Sequence, residues 1–318
     1  MGRLGLGDLL PVLKPLVDST ATRQIALSAL ANSPSTSDRA YLFDLANRQD
    51  TVSTEVLRAL SKSNKPESVR HWLQLLRTRP LPTNYYIFRG DLPLLQDEAL
   101  LDDLLFTLQN LSNTQTLSQL LWALHGHSNE QVTTYLISQL THPDRSVRYE
   151  AATSLRGNKS ALLQAKLPGL LADSTGRTES LHHLVLEHEL DSLQSIYEQI
   201  YLNPHSAYER SQALQYLGTY TRPAHQSLFW QVLTTPTADN WDTRSAALGL
   251  GRLGDTGAIE AIIAVSRRER VGSDGNAQAY VMALGMLKGE KARQEIETYR
   301  NSPEAHMREL ARKLLNDW

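Results

Sequence analysis

Small and apolar residues recur along this chain at helical spacing, in blocks closed by a Gly or Asn turn and followed by a second apolar block. In the clearest copy, residues 244–255 read Arg-Ser-Ala-Ala-Leu-Gly-Leu-Gly-Arg-Leu-Gly-Asp and residues 258–265 read Ala-Ile-Glu-Ala-Ile-Ile-Ala-Val. Another copy opens at Asp144, Val147 and Arg148, passes through Ala151 and Ala152 to Leu155, and resumes at Leu162, Leu163 and 167–171. The leucines closing each first block are Leu30, Leu60, Leu124, Leu155, Leu184, Leu217, Leu250, Leu284 and Leu314, at intervals of 30, 64, 31, 29, 33, 33, 34 and 30 residues. The 64-residue interval spans two periods, which predicts a degenerate copy between Leu60 and Leu124 with one helix near 100–111. The pattern therefore predicts an all-α chain, an α-solenoid of about ten helix pairs running as one array over 1–318.

Sterics support this. Ala26, Ala151, Ala213 and Ala246 let neighbouring helices approach closely, while the leucines fill the space between layers. Gly157, Gly218, Gly254 and Gly289 are expected to end helices in the left-handed conformation. Asp144, Asp242 and Ser302 stand where helices begin and can accept hydrogen bonds from free backbone amides. A single helix pair is too small to bury its own apolar face, so each must lean on the next.

One segment breaks the array. Three prolines interrupt residues 77–95, where the spacing places the degenerate copy. Residues 62–89 carry six basic side chains against Glu67 alone, and residues 91–103 carry five acids and no Lys or Arg. Arg77, Arg79, Tyr85, Tyr86, Phe88 and Arg89 give this insertion the composition of a protein-binding hot spot. The alternative is that the aromatics tuck under the loop and close a gap between helices.

The bulk composition removes other possibilities. A formal charge of -2 provides no global attraction for nucleic acid, leaving only the 62–89 basic patch as a footprint for such a partner. The absence of cysteine excludes disulfides, thiolate metal sites and cysteine nucleophiles. No run of 18 apolar residues occurs, so a transmembrane segment is not expected. The chain reads as soluble, with a cytoplasmic location favoured and an extracytoplasmic one open if an upstream targeting segment was removed. That proviso has a basis: residues 2–8, Gly-Arg-Leu-Gly-Leu-Gly-Asp, echo 251–255 and look like the back half of a repeat, as in a fragment lacking upstream sequence.

The motif of 143–171 and 240–266, approximately Val-Arg-x-x-Ala-Ala-x-Ala-Leu-Gly followed by Gly-Asp, resembles the HEAT-like repeats first described in phycobilisome lyases. That resemblance implies a right-handed superhelix whose second helices line the concave face, which places Tyr41, Trp72, Tyr135, Tyr197 and Trp230 on or near a binding surface. Aromatics at such spacing also serve as core.

Catalytic signatures are sparse. His182, His183, Glu187, His188 and Glu189 form the densest polar cluster, and His183 and Glu187 share a helical face. HEAT-like deoxyhypusine hydroxylases carry His-Glu dipeptides in several repeats, whereas this chain has His188-Glu189 alone. His125-Gly126-His127 occupies a turn. Trp230, Trp241, Asp242, Arg222 and Arg244 could be read as similar to HEAT-like alkylpurine DNA glycosylases, but 201–318 holds 14 basic and 13 acidic residues, a poor phosphate-binding footprint. The expectation is a non-catalytic scaffold or adaptor, with no metal or cofactor, that binds a protein or peptide through the concave face and the 77–95 loop. The alternatives are a HEAT-like enzyme or lyase-type protein that handles a cofactor, and a nucleic-acid binder using the 62–89 patch.

Overall fold

The computed structural model describes residues 9–83, 85–87, 95, 97–173, 177, 179–270 and 273–318. Residues 2–8, Phe88 and Arg89 lie outside the described residues. Among the described residues the fold is all-α, with 19 α-helices, short 3-10 turns and no strand, arranged as HEAT-like helix pairs. The chain groups into two compact units, Met1–Glu187 and His188–Trp318.

The first unit contains α1 (Leu10–Asp18), α2 (Arg23–Asn32), α3 (Thr36–Asn47), α4 (Thr54–Ser61), α5 (Pro66–Thr78), α6 (Leu101–Gln109), α7 (Thr114–Leu121), α8 (Glu130–Gln139), α9 (Arg145–Ser154), α10 (Ala161–Ala172) and α11 (Glu179–Glu187). Helix α6 and the 3-10 turn before it supply the helix expected near 100–111. First helices lie side by side, α2 against α4, and α7 against α9 with α11 beyond. Ala26, Ala151, Leu30, Leu60, Leu124, Leu155 and Leu184 are all buried at these contacts. Hydroxyls bind the layers together: Ser63 and Ser68 both donate to the Ala31 carbonyl at 2.7 Å, and Ser154 donates to the Leu121 carbonyl at 2.9 Å. Asp38 is fully buried and accepts from the Leu9 and Leu10 amides at 3.0 Å each, capping α1 from a helix 28 residues away.

The second unit contains α12 (Gln194–Leu202), α13 (Ala207–Thr219), α14 (Gln226–Thr234), α15 (Asn240–Arg252), α16 (Ile259–Glu269), α17 (Gln278–Leu287), α18 (Glu290–Glu297) and α19 (Ala305–Asn316). Here α13, α15, α17 and α19 stand side by side as first helices, the first three paired in chain order with α14, α16 and α18. Large aromatics fill the layers: Tyr197 stacks on Tyr216 with ring centres 3.8 Å apart, and Thr243 joins Tyr280 at 2.7 Å and Glu269 at 2.9 Å.

Turn chemistry follows the sequence in most places. Gly157 and Gly254 have φ of +79° and +69°, the region a β-carbon disfavours, and each lies just past a helix end. Gly218 departs from expectation: it lies inside α13, and a β-carbon there would meet the Ser245 carbonyl oxygen at 2.6 Å. Its purpose is close approach of α13 to α15, not helix termination. Asp144 caps α9 as expected, accepting from Ser146 and Val147. Asp242 does not cap; Asp239 takes that place on α15, and Asp242 is buried in the first helical turn, 3.6 Å from Arg210.

Candidate functional site

The described residues form concavities within each unit, among them one of about 560 Å³ in the first unit lined by Gln109, Glu130, Gln131, Thr134, Tyr135 and Ser138; two others carry the more distinctive chemistry. In the first unit, Tyr86 and Ile87 of the interrupting segment face Gln115, Ser118 and Gln119 of α7 and Arg145, Ser146, Tyr149 and Glu150 of α9, enclosing a cleft of about 660 Å³. The segment is held in place from both sides. Tyr85 is buried and its hydroxyl accepts from Trp72 Nε1 at 2.9 Å, while the Ile87 amide donates to Gln119 Oε1 at 3.1 Å. Alternation along an extended segment then puts Tyr86 outward, 49% exposed, opposite Tyr149 at 46%. Arg145 is exposed at the start of α9 and forms no ion pair among the described residues. Two phenol faces, with the Arg145 guanidinium and the Glu150 carboxylate as the charged groups, suit a flat molecule with a polar substituent that Arg145 can reach.

In the second unit, Glu198, Tyr201 and Leu202 of α12, Leu217 of α13, and Ala224, His225 and Leu228 at the start of α14 enclose a groove of about 340 Å³. His225 is buried, receives the Arg222 amide on Nδ1 at 3.2 Å, and binds Glu198 Oε1 through Nε2 at 2.8 Å. With Nδ1 an acceptor, Nε2 carries the proton and donates to the carboxylate.

The residues expected to bind are distributed otherwise than along one surface. Trp72 and Tyr197 are fully buried between helices and Tyr85 is nearly so beneath the interrupting segment, while Tyr135, 9% exposed, borders the 560 Å³ cleft of the first unit. Burial pushes the Tyr216 hydroxyl, stacked under Tyr197, up to about 12, and raises those of Tyr135 and Tyr280 as well. Tyr41 is half-buried beneath Lys14, and Trp230 is half-buried with Nε1 donating to Asp255 Oδ2 at 2.7 Å. Gln226 donates to the same oxygen at 2.7 Å, and these bonds hold the Asp255 carboxyl below its ordinary range. Arg77 lies over the Phe106 ring at 4.4 Å, and Arg79 donates to the Asn47 carbonyl at 2.9 Å. Arg70 binds Asp103 at 2.8 Å, so the 62–89 basic stretch meets part of its own acidic neighbour. Of the proposed binding residues that are described, Tyr86 is the one that lines the larger cleft.

The His/Glu cluster is structural in its described contacts. Glu187 accepts from the Gly157 amide at 2.7 Å and lies 3.5 Å from Arg156, and Lys159 donates to the Glu187 carbonyl at 2.6 Å. His182 is buried, and burial first, then Arg177 and His183, holds its pKa down at about 4. Among the described residues no three His, Asp or Glu side chains converge as metal ligands do. In the Trp230 to Arg244 group, Trp241 is 69% exposed, not packed between helices, and Arg222 donates to Gln194 at 2.8 Å. Sequence reasoning missed Tyr149 and Arg145 in the first cleft, and the Glu198–His225 pair in the second. The pair is separated by 27 residues, so no local motif joins it.

The helix pairs and their stacking define a HEAT-like repeat protein. Residues 244–267 match the family model described as PBS lyase HEAT-like repeat, so the chain carries a repeat of that kind, over α15 and most of α16. By sequence the chain matches no curated protein. It is similar to a solved structure titled as the complex of CpcE and CpcF of phycocyanin lyase from Nostoc sp. PCC7120. The identity is 18%, the coverage 85% of this chain and 96% of that one, and the TM-score 0.38. The match to a repeat model named for a lyase counts against the expectation of a non-catalytic scaffold, and that expectation is set aside. No helix among the described residues is long and apolar enough to cross a membrane.

Proposed function

We propose that this chain is a lyase-type protein that handles a cofactor in concert with a protein partner. The observation that supports it most is the PBS lyase HEAT-like repeat over 244–267. Phycobilisome chromophores are open-chain tetrapyrroles, flat conjugated molecules with propionate carboxylates. The cleft between the Tyr86 segment, α7 and α9 supports that chemistry: Tyr86 and Tyr149 offer ring faces, Arg145 a cation for one carboxylate with Glu150 as the one anion of the described lining, and the 660 Å³ volume lies within the range of small-molecule sites. Bound there, the tetrapyrrole would supply the electrophilic carbon that a protein thiol attacks; this chain's residues would hold it flat and keep its carboxylate in place.

The protein partner would be the acceptor of the chromophore or a second subunit, and Tyr86 stands at the rim where such a partner would meet the cofactor. The test is a titration of the full chain with a free open-chain tetrapyrrole, followed by visible absorbance. Binding should change band position and intensity at saturation. Arg145→Glu, which places an acid in the first turn of α9 where it does not harm the helix, and Tyr149→Ala should each weaken binding about tenfold, near 1.4 kcal/mol. A spectrum identical to free tetrapyrrole at all ratios would refute the reading, as would unaltered binding by both variants.

A further inference from the structure

The groove in the second unit has a different chemistry from the first cleft, and it stands apart from the lyase reading. Its walls are apolar: Leu202, Leu217, Leu228 and Ala224, with the Tyr201 ring. It opens between α12 and the start of α14, with Leu217 of α13 at its base. Leu202 on its rim is 68% exposed and extends the apolar wall toward solvent.

The groove contains one anionic group, and that group is fixed. Glu198 Oε1 receives the Nε2 proton of His225, and the imidazole is itself locked by the Arg222 amide on Nδ1. With one ring nitrogen donating and the other accepting, the buried imidazole is satisfied as a neutral ring and does not cancel the carboxylate charge. Glu198 Oε2 has no hydrogen-bond or ion-pair partner among the described residues, and the Glu198 side chain is 41% exposed. The nearby guanidiniums are engaged elsewhere, Arg210 with Asp242 at 3.6 Å and Arg222 with Gln194 at 2.8 Å. A positioned carboxylate with a spare oxygen, set in an apolar wall, is what a cation with an apolar body requires.

We propose that this groove is a binding site for a small amphiphilic cation: one ammonium group on an aryl or short alkyl body. The ammonium would occupy Glu198 Oε2 and the apolar body would lie between Leu202, Leu217 and Leu228. A volume of about 340 Å³ accommodates such a molecule and is too small for a helix of a partner protein.

The test uses the full chain with leucine methyl groups labelled for NMR, titrated with phenethylammonium, 2-phenylethanol and 3-phenylpropionate. Methyl signals of Leu202, Leu217 and Leu228 should shift and saturate with phenethylammonium, at a concentration about tenfold lower than with the alcohol. The carboxylate should bind weakest. Glu198→Gln keeps an acceptor for His225, so the fold is retained; it should erase the preference for ammonium while leaving alcohol binding intact. Leu202→Ala, at an exposed position, should weaken ammonium and alcohol alike. The proposal is overturned by equal binding of ammonium and carboxylate, by an ammonium preference that persists in Glu198→Gln, or by the absence of saturable shifts at these leucines.

Discussion

Tyr85 and Tyr86 are neighbours in sequence and opposites in role. Tyr85 turns inward and takes the Trp72 indole proton, while Tyr86 turns out over the cleft. Tyr85→Phe removes the acceptor and leaves a buried N–H alone, which costs about 1–3 kcal/mol. Tyr86→Ser, at a half-exposed position, should change stability by less than about 0.5 kcal/mol. Urea denaturation of the two variants measures the difference; equal losses would mean that the segment packs as a whole and presents nothing. Composition alone makes the two tyrosines equivalent, since both sit in one aromatic run among arginines. What separates them is the alternation of an extended segment, which becomes readable only once one neighbour is anchored to Trp72. The same limit hid Arg145, whose position at a helix start reads as ordinary N-terminal sequence, and the Glu198–His225 pair, joined across two turns of the stack.

At the scale of the helix pair, glycines report how close the elements come. Gly249 of α15 has no room for a methyl group: a β-carbon there would stand 2.6 Å from Cε2 of Phe229 on α14. Gly169 of α10 has nothing within 4 Å. Gly249→Ala should therefore destabilise by about 1–3 kcal/mol through overpacking, and Gly169→Ala should stabilise by about 0.5–1 kcal/mol through helix propensity. Opposite shifts in thermal midpoint check this; a shift of the same sign for both would show that α14 and α15 have slack. Elements were largely legible from the chain. The closing leucines Leu30 to Leu284 are all fully buried, and the 64-residue gap does contain α6. Helix starts were harder: Asp239 and Asp242 are both plausible caps three residues apart, and only packing against Arg210 selects the one that is buried.

At the scale of the molecule, periodicity identified a HEAT-like repeat chain and said little of its activity, because every repeat spends its regular positions on stacking. The two proposed sites lie where the repeat is irregular or open: beside the proline-broken segment in the first unit, and between α12 and α14 in the second. The non-catalytic expectation does not stand. It was drawn from the scarcity of catalytic motifs, whereas the repeat over 244–267 matches a model described as PBS lyase HEAT-like repeat. Production of the full chain in cells that synthesise an open-chain tetrapyrrole, followed by purification and a visible spectrum, tests the cofactor-handling claim most directly. A coloured protein whose visible band co-elutes with the chain, and is diminished in Arg145→Glu, is the predicted result. A colourless chain purified from a lysate rich in the tetrapyrrole would contradict it.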